Sequence, residues 1–268
     1  MAKIYVGCAG WDYKDWIGPF YPVKLEKFQH LNYYAEFFEI VEINSTFYNL
    51  PSEETVLNWA TKVPETFQFV VKLWQKITHK INDANIGKRI SQFFNRMKPL
   101  EEKISAYLVQ FPPWFKYSKE HLNRINYLIH EIPFNENLKF IIELRDNSWF
   151  EPNILSKFID GTNTILGTTY MPRISPFYYL NQKNYYIRLI GNRDLTVFNR
   201  IQREQKKAMN HMNQNVEKLL NNTNINEIFI IVNNHFAGFA PEMANSIKKM
   251  FNLSIKQFSK QKSVLDFI

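Results

Sequence analysis

A chain of 268 residues with 45% hydrophobic and 16% aromatic content is long enough to bury a large core, as one α/β domain or two smaller ones. Its formal net charge of +8 and pI near 9.3 favour approach to anions, whether nucleic acid or a phosphorylated metabolite. No run approaches the roughly 18 apolar residues of a membrane span, and the single cysteine, Cys8, excludes an internal disulfide and a cysteine-built zinc cluster.

Taken in chain order, short β-branched or aromatic runs alternate with longer amphipathic stretches. The opening residues read as a strand, Ile4 to Gly10, too short for a signal-peptide core, and with the lone thiol this predicts a cytoplasmic protein. Leu31 to Phe38 spaces its apolar residues for one helical face and leads to a strand at Ile40 to Thr46. Ser52 reads as the cap of a helix running to about Lys62. A strand at Gln68 to Leu73, a helix at Asn85 to Met97 and a strand at Ala106 to Phe111 come next. The pattern repeats with a helix at Ser118 to Ile132, a strand at Lys139 to Arg145, a helix at Asn153 to Ile159 and a strand at Thr164 to Tyr170. Pro172 and Pro176 argue against a regular helix before the strand at Tyr185 to Ile190. A helix over Phe198 to Leu220, a strand at Glu227 to Asn233 and a helix over Pro241 to Phe251 complete the order.

Eight strands alternating with helices predict an α/β fold, a (β/α)8 TIM barrel in which residues 1–268 form a single domain. A doubly wound open sheet is the alternative. It lacks support, because no Gly-x-Gly-x-x-Gly or Walker loop follows any strand, and no linker divides the chain.

Strand parity then sorts the polar side chains, since alternate residues face opposite sides and the outer face must be apolar to meet helices. Glu42, Asn44 and Thr46 point inward together, as do Lys72, Gln110, Glu143 with Arg145, and Arg188. The last strand delivers Asn234 and His235 at its end. Active sites of such barrels lie at the carboxyl ends of the strands, where these residues fall. Glu143 is the first choice for general acid or base, with Lys72 or Glu42 setting its pKa and His79 a further proton carrier. Arg145 and Arg188 have the fork geometry that grips phosphate or carboxylate. Asn44, Gln110, Asn234 and His235 would orient polar groups, and Trp11 and Tyr13 would cover a substrate. The bland reading is a self-satisfied ionic layer that only fills the barrel.

Aromatics follow several strands, with Trp11, Tyr48, Trp74, Trp114 and Trp149 prominent. Such a rim either stacks on a sugar or nucleobase or packs beneath long loops. Neither a metal nor an organic cofactor is expected, because Lys72, Arg145 and Arg188 would repel a dication and no His-Glu-x-x-His spacing occurs. The expected partner is an anionic small molecule turned over by acid/base chemistry. A non-catalytic nucleic-acid-binding protein, using Arg200, Arg203, Lys206 and Lys207 or Lys256, Lys260 and Lys262, is the competing class. A metal-assisted phosphodiesterase, or a retaining glycosidase with Glu42 and Glu143 as its pair, stands further back.

An ordered set of motifs carries a family resemblance. Gly7-Cys-Ala-Gly-Trp11 with Gly18-Pro-Phe-Tyr-Pro22, Val41-Glu-Ile-Asn-Ser-Thr-Phe-Tyr48, Val71-Lys72 with Thr78-His79, Gln110-Phe-Pro-Pro113, Glu143-Leu-Arg145 with Ser148-Trp149, and Asn233-Asn-His235 resemble the YecE-like family, domain of unknown function 72. The resemblance runs from Ile4 to about Ala244. It implies a TIM barrel and transfers no substrate, cofactor or catalytic residue. The chain departs from the pattern at Cys8-Ala9, Asp146-Asn147 and Ile190-Gly191-Asn192, the last two being places where a histidine is common.

Overall fold

The computed structural model describes residues 2–80, 84–133 and 138–258. Eight parallel strands close on themselves in sequence order: β1 (Lys3–Ala9), β2 (Ile40–Ile43), β3 (Gln68–Lys72), β4 (Ile104–Gln110), β5 (Lys139–Glu143), β6 (Thr164–Tyr170), β7 (Asn184–Leu189) and β8 (Glu227–Val232), with β8 pairing β1. The fold is an α/β TIM barrel. Parallel strands are covered on both faces, so continuous apolar runs such as Ile228 to Val232 suit them.

Two apolar cores follow from this geometry. Tyr5, Ile40, Val70, Leu108, Ile141, Ile165 and Phe229 fill the lumen, while the alternate strand residues pack outward against the helices. Helix Ile86–Met97 buries Ile86, Ile90, Phe93 and Met97 on one face, and helix Lys206–Leu220 buries Met212, Val216 and Leu219. Ser52 and Ser118 cap the helices Glu53–Thr61 and Lys119–Glu131 by accepting the backbone N–H of Thr55 and His121. Among the described residues no helix joins β6 to β7, and none is long and apolar enough to cross a membrane.

Three stretches differ from the sequence reading. The second strand stops at Ile43, because Asn44 adopts helical dihedrals and Ser45–Tyr48 makes one helical turn. Thr46 therefore leaves strand parity, and its hydroxyl donates to the Lys72 carbonyl at 2.7 Å, joining the ends of β2 and β3. The residues 198–205 are irregular rather than helical. Their polar groups bond the short helical turn Asn234–Ala237 after β8 instead, Gln202 N–H to Ala237 O at 2.7 Å and the Gln205 amide to Phe236 O. The helix over Asn153 to Ile159 shrinks to Pro152–Leu155.

The β1–β2 seam is bridged by a side chain. Cys8 N–H donates to the Tyr34 hydroxyl at 2.8 Å, which donates onward to Ile40 O at 2.9 Å. Gly7 lies against the same carbonyl, and a Cβ there would sit 2.1 Å from Ile40 O. Gly7→Ala should cost about 1 to 3 kcal/mol in urea denaturation, the scale of an overpacked core. An unchanged midpoint would show that the seam yields freely.

Candidate functional site

The lumen changes character at its carboxyl end. Above the apolar layers, Glu42, Lys72, Glu143 and Arg188 turn inward from β2, β3, β5 and β7, all almost fully buried. Arg188 takes Glu42 in a two-pronged grip, Nε to Oε2 and Nη2 to Oε1, each 2.7 Å, while its Nη1 donates to Glu143 Oε2. The other Glu143 oxygen accepts Arg145 Nε at 2.8 Å. Glu42 also receives the Tyr186 hydroxyl and the Asn44 amide, each at 2.7 Å. Both carboxylates are thus saturated, as buried charges must be. Burial alone would raise the Glu143 carboxyl, but Arg188, Arg145 and Lys72 override it and hold it well below the usual carboxylate range. Burial would lower the Arg188 guanidinium, yet Glu143 and Glu42 push it up.

This arrangement changes the roles read from parity. Arg188 lines the cavity, but its Nε, Nη1 and Nη2 each already donate to a carboxylate. Glu143, ionised and doubly paired, is a poor proton carrier at neutral pH. Neither glutamate lines the cavity above them.

Lys72 is the exception. Among the described residues no carboxylate lies within ion-pairing distance of its ammonium, which rests 4.0 Å over the Phe47 ring. Desolvation first, then the Arg188 and Arg145 charges, bring its pKa down to about 7. It forms the floor of a cavity of about 240 Å³ at the barrel mouth, walled by Arg145, Arg193, Tyr48, Asn234 and His235. Arg145 lines that space, and among the described residues its side chain is engaged through Nε, which leaves the terminal nitrogens for the cavity. Asn234 accepts Trp16 Nε1 and Ala240 N–H on its oxygen, which leaves its buried Nδ2 without a partner. His235 Nδ1 is likewise unmatched, and burial and Arg193 lower that imidazole. Three cations, Lys72, Arg145 and Arg188, face two carboxylates here, so the protonated site carries an excess positive charge. It can be relieved by losing the Lys72 proton or by taking up an anion.

Other candidates lie elsewhere. Gln110 is buried and donates to Phe111 O at 2.7 Å, outside the cavity wall. His79 sits behind Phe47, its ring centroid 5.1 Å from that phenyl, with Nδ1 2.8 Å from the Thr78 hydroxyl. Burial, then Lys72 and Arg145, lower its pKa to about 4. Of the aromatics, Tyr13 lines the mouth and Trp11 a neighbouring groove, whereas Trp149 is buried with Nε1 donating to Phe115 O at 2.7 Å. Arg193 escaped the sequence reading, because a lone arginine in the polar run Gly191-Asn-Arg-Asp194 has no periodicity to mark it. In the surface basic run, Arg203 is paired with Asp194 and Lys206 with Glu204. Lys260 and Lys262 lie outside the described residues.

The profile of the family described as "Protein of unknown function DUF72" matches residues 5–265. The chain belongs to the DUF72 family. The match runs past the carboxyl end expected from the motifs. This DUF72 chain is 31% identical over 156 residues to the UPF0759 protein YunF of Bacillus subtilis (strain 168), 56% of this chain and 53% of that protein. It is 33% identical over 112 residues to the UPF0759 protein YecE of Escherichia coli (strain K12), 42% of this chain and 39% of that one. It therefore spans about half the length, or less, of the curated relatives it matches. Among solved structures, a DUF72 family protein of Thermotoga maritima MSB8 superposes with a TM-score of 0.77 at 25% identity, covering 93% of this chain and 99% of that one. A DUF72 family protein of Enterococcus faecalis V583 gives 0.74 at 27% identity, covering 95% and 99%.

Where this DUF72 chain departs from the motif pattern, the substituted residues hold backbone. Asp146 accepts Ser148 N–H, and Asn147 bonds Arg173 O and Ser175 N–H across to the β6–β7 connection. Gly191, at φ 71°, brings the loop after β7 so close that a Cβ would stand 2.5 Å from His235 O. Cys8 is an inert buried thiol, pushed up by burial.

Proposed function

We propose that this protein is an enzyme that binds an anionic small molecule in the barrel mouth and uses Lys72 to carry a proton. The supporting observation is a lysine that, among the described residues, has no carboxylate within ion-pairing distance, on the floor of a cavity and with its pKa near 7 among fixed cations. A general acid or base works best when its pKa lies near the working pH. The ammonium that anion binding restores gives its proton to the substrate as general acid, and Arg145 and Arg193 hold the anionic group. Asn234 Nδ2, a donor held without a mate, orients a substrate oxygen. The Glu42–Arg188–Glu143 cluster is the rigid base that fixes Arg145 and keeps Lys72 short of counter-charge. The surrounding cations disfavour a dication, so we assign metal-independent chemistry. The buried lone thiol suits the reducing cytoplasm.

Calorimetry with inorganic phosphate tests the site. At pH 8 binding should draw in protons, because an anion beside Lys72 restores its ammonium, and the uptake should vanish in Lys72→Met. Arg145→Met should weaken binding by about 1.5 to 3 kcal/mol, the scale of a charged hydrogen bond. Absence of phosphate binding, or binding with no proton uptake, would sink the reading.

A further inference from the structure

We infer that the groove beside the mouth is a carbohydrate subsite, taking the sugar rings of a substrate whose anionic group sits over Lys72. This deepens the reading above and rests on it for the anionic end. The mouth, at about 240 Å³, is below the roughly 300 to 1,000 Å³ that hold most small-molecule ligands. The groove offers about 800 Å³ and shares Tyr13 and Asn44 with the mouth as a common wall, so a ligand can lie across both.

Its lining is unlike the mouth. Helix Glu53–Thr61 buries Val56 in the core, yet Thr55, Asn58 and Trp59, with Lys62 just beyond, present a second stripe to the groove at the three- and four-residue spacing of one helical face. Trp59 meets Trp11 edge to face, ring centroids 5.7 Å apart at 88°. Perpendicular rings leave one indole face to stack on and no parallel slot to sandwich a nucleobase. A pyranose, with one apolar C–H face and a hydroxylated edge, fits that platform.

The acceptors point the same way. Asp12 is pinned by His30 Nδ1 at 3.3 Å and Lys27 at 3.0 Å, and His30 is itself buried and stacked flat on Tyr21, centroids 4.0 Å apart. A carboxylate held still at a groove edge is a ready acceptor for hydroxyl donors. Asp12 and Glu26 are matched in the lining by Lys27 and Lys62, so the groove has no net charge to draw an anion, which leaves the anionic group to the cationic mouth. The ligand class is therefore a glycoside carrying one anionic group.

Fluorescence and calorimetric titration with maltose, cellobiose, lactose and adenosine, alongside inorganic phosphate, decides the matter. At least one disaccharide should bind and shift tryptophan emission. Trp59→Ala should then lose about tenfold or more in sugar affinity, and Asp12→Asn about fivefold, while both still bind phosphate like the parent chain. Asp12→Asn changes no volume, so it serves even where Trp59→Ala folds poorly. Failure of all three disaccharides, equal binding by both variants, or Trp59-dependent binding of adenosine in place of sugar would each overturn the assignment. Sugar binding that survives when phosphate binding is absent would remove the anionic mouth and keep the groove.

Discussion

Lys72→Met should make the protein more stable at neutral pH, by about 2 to 4 kcal/mol, while abolishing proton uptake on anion binding. The sign follows from linkage. The ammonium ordinarily keeps its proton up to 10.5, and in the barrel, chiefly through desolvation and then the Arg188 charge, it releases it at about 7. Between these values the unfolded chain binds more protons, so the lysine's penalty is full below pH 7, shrinks as pH rises and is gone above 10.5. Each pH unit in that window is worth about 1.4 kcal/mol. Loss of the contact with Phe47 takes back part of the gain, since a cation over a ring contributes about 0.5 to 2 kcal/mol. Guanidinium chloride denaturation of both chains at pH 6, 8 and 10 should show the variant's advantage fading with alkalinity. A variant less stable than the parent at pH 6, or a gap that ignores pH, would mean that the charge is met in some other way.

Arg188→Met should act in the opposite direction. Removing one member of a buried ionic cluster strands the others, and here two carboxylates with 0% exposed side chains would face each other across the lumen. The expected loss is about 3 to 5 kcal/mol at pH 7. Glu42 would keep Tyr186 and Asn44, and Glu143 would keep Arg145, so the barrel should still close. The loss should shrink toward pH 4, because a stranded carboxyl relieves the repulsion by taking a proton, whereas in the parent Glu143 is held in its charged form by Arg188. Thermal melts across pH 4 to 8 read this directly. A loss under about 1 kcal/mol, or one flat across that range, would show that the cluster is not a charge-balanced unit.

The barrel was legible because strands buried on two faces leave short apolar runs that alternate with amphipathic helices along the chain. Ile141 and Ile142 belong to opposite cores, and parity alone placed Glu42, Lys72, Gln110, Glu143 and Arg188 on the inner face. Parity says nothing about who meets whom. That depends on the stagger between strands, which brought Arg188 onto both glutamates and left Lys72 aside. Nor does parity outlast the strand. Asn44 and Thr46 lie beyond the last β residue, where a helical backbone sends Thr46 to the Lys72 carbonyl. Phe198 and Ile201 imitate a helical face, but Phe198 N–H is taken by Asp15 at 2.9 Å and the backbone bonds with the helical turn Asn234–Ala237 after β8 prevail. The groove was hidden because Thr55, Asn58, Trp59 and Lys62 read as the solvated side of an ordinary amphipathic helix.

The Glu42–Arg188 contact joins positions 146 residues apart, and Glu143 lies 45 residues before the same guanidinium. During synthesis both acids emerge well before the guanidinium that bridges them. A nascent chain that has assembled only through β6 holds Glu143 with Arg145 but leaves Glu42 without its guanidinium partner in an open trough, and water must stay there to solvate it. Arrival of the seventh strand is the event that dries the interior. The carboxyl end of the cylinder accordingly waits on β7, and its ions serve as a late checkpoint on strand order.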